Sequence, residues 1–290
     1  GAADEAAPAA VAPAPAPAAA EPLREEAARR WLYGLKVDPE LATLLWSNET
    51  VPAPKRCGCF RSGKPLGQTA GLSEDLQADK DFVLFLRAAP CCLEEDDLQL
   101  RMMQDIYRGL LCLEPTARVP AEGPHWQDLG FSGQGCPSEE LNNSSGLLCV
   151  VHMFFCWLRH PEILSDAHSL SRDDTSGPFS FVLLSAIITG MVIEHLMAGR
   201  LAVLCKRSEL GVFDMTCEVF AAALLLFARS LRPEPRGKNV SVRAPKERPP
   251  AAREAWLGAL DEVRREVGKR PARALASLAA QTQSTPAASP

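Results

Sequence analysis

The chain has 290 residues, 47% of them hydrophobic, which is enough for one substantial buried core or two small ones. Its formal net charge is −5, unevenly spread: from Arg229 onward 13 Lys and Arg face 6 Asp and Glu, so the tail carries +7 and residues 1–228 carry −12. The basic tail is compatible with an anionic membrane surface, nucleic acid or an acidic partner, with a solvated linker as the commoner explanation, and no nucleic-acid partner is expected.

Ten cysteines occur as Cys57-Gly-Cys59, the adjacent Cys91-Cys92 and six singles, with no CxxC and no histidine pair at zinc-ligand spacing, so no metal is expected. Cys112, Cys149, Cys156, Cys205 and Cys217 sit among apolar residues of helical pattern, where a free thiol behaves as a small hydrophobe and a reducing compartment is the simplest assumption. The N-terminal Ala/Pro stretch has neither the basic nor the apolar region of a secretory signal, so a cytoplasmic location, at most peripheral to membranes, is expected.

Residues 1–21 are almost wholly Ala and Pro, too poor in large apolar groups to offset the entropy of ordering, and are expected to be disordered. Residues 22–93 read as a helical extension around a Pro- and Gly-rich loop. Leu23, Ala27, Trp31 and Leu35, then Leu41, Leu44 and Leu45, predict two short helices divided at Val37-Asp38-Pro39. After the loop, Ser73 caps a helix that carries Leu76, Phe82, Val83 and Leu86 towards a core and ends at Pro90.

Residues 94–232 form the main domain. Glu94 to Cys112 opens with four acidic residues at the positive helix end and places Leu98, Met102, Ile106 and Leu110 on one stripe. Three strongly apolar helices follow a central loop, Gly146 to Leu158, Phe179 to Met197 and Val212 to Leu231, with a more polar helix from Pro161 to Arg172 between the first two. No run alternates apolar and polar residues between turn signals, so the fold class is all-α. The apolar stretch Phe179 to Ile193 falls short of the ~20 residues that a bilayer requires, and is read as the most buried helix of the core.

Residues 233–290 comprise a basic linker and an amphipathic helix, Ala251 to Lys269, with Trp256, Leu257, Leu260, Val263 and Val267 opposite Arg264, Arg265 and Lys269. That helix either packs back on the domain, the default, or uses Trp256, Arg264, Arg265 and Lys269 to meet a partner helix or a membrane surface.

Catalytic patterns are missing. Residues 58–64, GCFRSGK, approach a phosphate loop, but Pro65 stands where the magnesium-binding Ser or Thr belongs, and Val51-Pro-Ala-Pro54 rather than a buried strand precedes it. Gly130-Phe-Ser132-Gly133-Gln134 lacks the last glycine of a nucleophile elbow. His125, His152, His160, His168 and His195 share no ligand spacing, while Glu94-Glu95-Asp96-Asp97 and Asp173-Asp174 are explained by helix polarity and solvent. No catalytic residue of this chain and no cofactor are expected.

The informative stretch is HWQDLGFSGQGCPSEELNNSSGLLCVVHMFF, residues 125–155, preceded by LQLRMMQDIYRGLL from Leu98. It resembles the ELMO (engulfment and motility) family: Gln104, Ile106, Tyr107, Trp126, Gly130, Phe131, Gly133, Pro137, Glu140, Leu141, Leu147 and Leu148 match the family pattern in order. Pro178-Phe179 and Ile188-Thr189 resemble a later family helix, and the resemblance covers about half of the chain. It is closest to the short, single-domain members.

The resemblance implies an all-helical domain that regulates or binds small GTPases, Arf/Arl-like ones foremost. Its partner surface would comprise Trp126, Gly130, Phe131, Gly133, Pro137, Glu140, Leu141, Asn142 and Asn143, although Trp126 and Phe131 serve equally as anchors of a rigid loop. In the GTPase-activating branch an arginine follows this leucine and acts as a catalytic finger. Here Asn142 takes its place and Asn143 that of the next glycine, and no change of register helps, since Cys136 to Val151 contains neither Arg nor Lys. A finger is worth ~10³ to 10⁵ in rate, so activation should be weak or lost. Two alternatives stand beside this: a GTPase activator that exposes Arg108, Arg159 or Arg172 beside the Trp126 to Asn142 loop, or a helical adaptor in Rac-linked and cytoskeletal signalling, favoured if that loop is buried.

Overall fold

The computed structural model describes residues 22–35, 72–93, 97–132, 137–142, 145–173, 179–232 and 252–284. The described residues form eleven α-helices and one 3-10 helix, with no strand. In chain order these are α1 (Glu25–Gly34), α2 (Glu74–Ala88), α3 (Asp97–Leu110), the 3-10 helix Pro124–Leu129, α4 (Pro137–Asn142), α5 (Gly146–Arg159), α6 (Pro161–Ser171), α7 (Phe181–Met197), α8 (Ala202–Arg207), α9 (Val212–Leu231), α10 (Ala252–Lys269) and α11 (Pro271–Ser284).

Helix α9 is the axis of the packing and touches α2, α5, α6, α7, α8, α10 and α11. Its sequence explains why: it is apolar almost all round, and Ala221, Ala222 and Ala223 let neighbours approach closely from several sides. Helix α5 is the second axis, buried at every position from Gly146 to Cys156. The expectation that Phe179 to Met197 is the most buried helix is therefore corrected. α7 leaves Leu183 48% exposed and turns Glu194 to solvent, because its two ends reach the surface. No single described helix is long and apolar enough to cross a membrane; only α5 and α6 together reach that length, and they bend by 118° at their junction.

Local signals act as the sequence predicts. Ser73 Oγ accepts from the Leu76 N–H at 3.5 Å at the start of α2, as expected; Ser180 Oγ, a cap not expected from the sequence, accepts from the Leu183 N–H at 3.0 Å, so that α7 begins two residues later than predicted. Cys112 departs from expectation: it lies just past α3, exposed, with φ 52°, whereas Cys149, Cys156, Cys205 and Cys217 are buried. The helix expected around Leu41, the phosphate-loop-like residues 58–64 and the tail 1–21 lie outside the described residues.

Helix α1 is tied down electrostatically. Arg29 pairs with Glu25 and Asp214, while Arg159 reaches Glu25 at 2.7 Å, Asp214 at 2.6 Å and Glu218 at 3.0 Å. Both guanidiniums lie 5.2 Å from the Phe155 ring centroid, so the cations are sandwiched between carboxylates and an aromatic face. Such a network constrains geometry because losing any one partner leaves a partly desolvated charge behind.

The amphipathic helix packs back on the domain. Ala259, Leu260, Val263 and Val267 of α10 are buried, and Trp256 stacks on Phe179 with centroids 6.2 Å apart. Trp256 is half-buried, with its ring against Phe179, and Leu257 faces outward instead of joining the buried face. Arg264, Arg265 and Lys269 stay exposed.

Candidate functional site

The centre of the family-like stretch is built from the Trp126 indole outward. Pro124 opens the 3-10 helix and Gly130 closes it at φ 89°, a left-handed conformation in which a side chain would be strained. Trp126 is 1% exposed; its Nε1–H donates to the Ala121 carbonyl at 2.9 Å, and its ring meets Tyr107 and Phe131 edge-on at 5.4 and 6.1 Å. These contacts make the loop a plate fixed to α3.

Two clamps hold the plate to its neighbours. Ser180 Oγ donates to the Gly130 carbonyl at 2.6 Å, and a Cβ at Gly130 would lie 2.8 Å from the Phe181 nitrogen, so the loop sits directly on the start of α7. On the other side, the Glu140 carboxylate accepts from the Ser132 N–H at 2.8 Å and from its hydroxyl at 2.6 Å, joining α4 to the loop.

Helix α4 is anchored from below by the turn after α2. Ser138 Oγ accepts from the Leu93 N–H at 2.9 Å. Asn142 makes a reciprocal pair with Cys91: its Oδ1 accepts from the Cys91 N–H at 2.6 Å, and its Nδ2 donates to the Cys91 carbonyl at 2.9 Å. Next to it, Gly146 adopts φ 54° and approaches the Ala89 carbonyl so closely that a Cβ would lie 2.7 Å from that oxygen.

A polar cluster flanks the plate that motif matching missed. Tyr107 donates its hydroxyl proton to Asp128 Oδ2 at 3.0 Å; burial and this carboxylate push the phenol up to about 12. His168 Nε2–H donates to the Asp128 carbonyl at 2.9 Å, and Arg172 reaches Asp128 Oδ1 at 3.7 Å. Three separate segments supply these groups, so no spacing rule could assemble them, although Tyr107 itself matched the family pattern.

The residues expected to face a partner divide into two kinds. Trp126, Phe131, Pro137 and Leu141 are buried, so they shape the surface from beneath and do not present side chains to it. Gly130 and Glu140 are half-buried and Asn142 is exposed; together with the exposed Gln127, Ser132 and Glu139, which were not among the expected contacts, Asn142 gives the loop a polar rim, while Gly133 and Asn143 lie outside the described residues. The loop is thus neither fully buried nor apolar. Among the described residues, no three His, Cys, Asp or Glu side chains gather as a metal site.

The three alternative arginines separate clearly. Arg108 is spent on Asp105 Oδ1 at 2.7 Å and the Ala117 carbonyl at 2.8 Å, and Arg159 on the network that holds α1. Arg172 is different, with a side chain 55% exposed beside the 3-10 helix.

Residues 91–232, which contain this plate and its clamps, match the ELMO/CED-12 family model. The chain carries an ELMO/CED-12 family domain. Similar proteins include ELMO domain-containing protein 3 of Bos taurus and of Homo sapiens, each 29% identical over 164 residues, and that of Mus musculus, 29% identical over 168 residues. The matched segment is 56% of this chain and spans 41% of the length of each relative. No solved structure matches the chain. In this ELMO domain the helices α1, α2, α10 and α11 lie outside the matched residues, yet all pack on α9 or are bonded to it.

Proposed function

We propose that the ELMO domain binds a small GTPase, Arf- or Arl-like, through the polar rim around Gln127, Ser132, Glu139 and Asn142, and accelerates GTP hydrolysis weakly or not at all. The observation that carries the second half is the commitment of Asn142 to the Cys91 main chain at the position where the family resemblance calls for an arginine. A neutral amide engaged on both sides cannot supply the charge that a phosphoryl transfer needs. The rigid attachment of the rim to α3, α4 and α7 favours recognition, since little ordering entropy remains to be lost on binding. A cytoplasmic setting follows from this reading.

The test is binding and single-turnover hydrolysis with a panel of GTP-loaded Arf-family and Rac-family GTPases. Gln127→Ala with Glu139→Arg should weaken binding while leaving the melting temperature unchanged. Retention of full affinity by that variant would remove the rim from the interface.

A second reading, an active GTPase activator, is favoured by one observation. Arg172 is a partly exposed cation next to the plate, held only by a loose 3.7 Å pair with Asp128.

A further inference from the structure

The end of α7 meets α10 at a close contact that concentrates positive charge. A Cβ at Gly268 would lie 2.9 Å from His195 Cε1 and 3.0 Å from an Arg200 guanidinium nitrogen, so the α10 backbone rests directly on these two side chains. His195 is buried, and its Nδ1 accepts from Arg200 at 3.0 Å, which places the ring proton on Nε2. Arg200 is therefore positioned against α10 by a neutral partner that removes none of its charge. Burial pushes His195 down to about 4, and the nearby charges of Arg200 and Arg264 add to the same direction.

The same end of the molecule carries Arg264, Arg265 and Lys269 from α10, Arg270 from the junction and Arg273 from α11, against the single acid Glu266 in residues 264–273. Exposed carboxylates lie loosely near two of these, Glu194 at 4.0 Å from Arg264 and Glu262 at 3.6 Å from Arg265. Among the described residues, Arg200, Lys269, Arg270 and Arg273 have no carboxylate within 4.0 Å, and all four are exposed.

We propose that this basic end, formed by Arg200, Arg264, Lys269, Arg270 and Arg273, docks on an anionic membrane surface and reads lipid phosphate. Three features select a lipid surface over other acidic partners. The apolar face of α10 is already buried on α9, so no apolar stripe remains beside the cations to seat a partner helix. Trp256 is engaged with Phe179, so no free ring interleaves with the cations to stack on bases. Residues 264–273 set five cations against the one carboxylate of Glu266, and that local density of positive charge favours a negative plane.

The experiment is co-sedimentation of the full chain with vesicles of phosphatidylcholine alone, or with about a third phosphatidylserine, at low salt. Binding is expected only to the anionic vesicles, and lost at about 0.5 M salt. At about fivefold per cation, Lys269→Ala, Arg270→Ala and Arg273→Ala together should weaken binding on the order of a hundredfold. The charge-matched control Arg24→Ala, Arg30→Ala and Arg118→Ala should bind as the native chain does. The swap Lys269→Arg, Arg270→Lys and Arg273→Lys should also bind normally, which separates charge from any loss of fold. Absence of binding to anionic vesicles overturns the proposal, as does equal loss in the control, failure of the swap to bind, or tighter binding of soluble polyglutamate than of vesicles.

Discussion

Asn142 and the main chain of Cys91 exchange two hydrogen bonds, one accepted at 2.6 Å and one donated at 2.9 Å, so the side chain that replaces an expected arginine is a bracket between α4 and the turn after α2. Arginine has donors only and cannot accept from the Cys91 N–H. Asn142→Arg should therefore destabilise the chain by ~1 to 3 kcal/mol, the cost of a partly buried donor left without that acceptor. The melting temperature should fall by about 2 to 4 °C per kcal/mol in a domain of this size. Little GTPase activation should accompany the change, because the turn is shaped around the amide. An unchanged melting temperature together with strong activation would mean that the bracket is dispensable and that the position was merely vacant.

Gly109 marks the tightest helix contact outside the site. An added Cβ would lie 2.0 Å from Trp157 Cζ2 and 2.3 Å from Cη2, so α3 and α5 can touch here only through a glycine. Gly109→Ala gains helix propensity but forces the ring aside, and overpacking of this kind costs ~1 to 3 kcal/mol. Chemical denaturation of Gly109→Ala, Trp157→Leu and the double variant should show strong coupling, with the double variant losing less than the two singles combined. Additive losses would place the strain elsewhere.

The architecture was largely readable because its signals are local. The apolar runs of α5, α7 and α9, the Ser73 cap, Pro161 at the start of α6 and the stripe of Met102, Ile106 and Leu110 each depend on near neighbours in sequence. The short α8 and the Ala-rich α11 carried too weak a periodicity to be predicted, and the latter forms against α9. At the site, the Trp126 plate was legible as an anchor, but the Asn142 to Cys91 bracket spans 51 residues and the Asp128 cluster joins three segments. Hydrogen bonds of that reach leave no period for a sequence to display.

Stability should fall with acid in two stages. Burial pushes His152 down to about 3, and burial with the charges of Arg200 and Arg264 pushes His195 down to about 4. Both titrate near 6.5 when unfolded, so the unfolded chain takes up protons that the folded chain refuses. Their contribution is complete above about 6.5 and declines as pH falls towards 4 and 3, by roughly 1 kcal/mol for each group by pH 5.5. A second decline begins below about 4.5. Burial there opposes the charged forms of Glu25, Asp214 and Glu218, yet hydrogen bonds from Arg159, Arg29 and His160 outweigh it and hold all three below their ordinary values. Urea denaturation between pH 7.5 and 4 should show both stages, and His152→Gln should flatten the first. A stability curve flat from pH 7.5 to 5 would contradict the burial of neutral histidines.

The choice between a binding module and an active GTPase activator turns on Arg172. It is the exposed member of the three alternative arginines, and its 3.7 Å pair with Asp128, both side chains being largely exposed, is worth little in solution. The guanidinium is thus free to transfer to a phosphate if a bound GTPase brings one near. The acceptor would have to compete only with Asp128, whose other oxygen already serves Tyr107. A working finger should lose about 10³-fold or more in single-turnover hydrolysis on Arg172→Ala, and Arg172→Lys should restore little, because an ammonium lacks the planar fork. A residue that only tethers the rim would behave otherwise: Arg172→Ala would leave the hydrolysis rate of the bound GTPase unchanged and shift affinity by a few-fold at most. We expect the second pattern. Asp128 gives its carbonyl to His168 and its carboxylate to Tyr107, so the arrangement holds without the arginine, whose side chain is 55% exposed and therefore solvated.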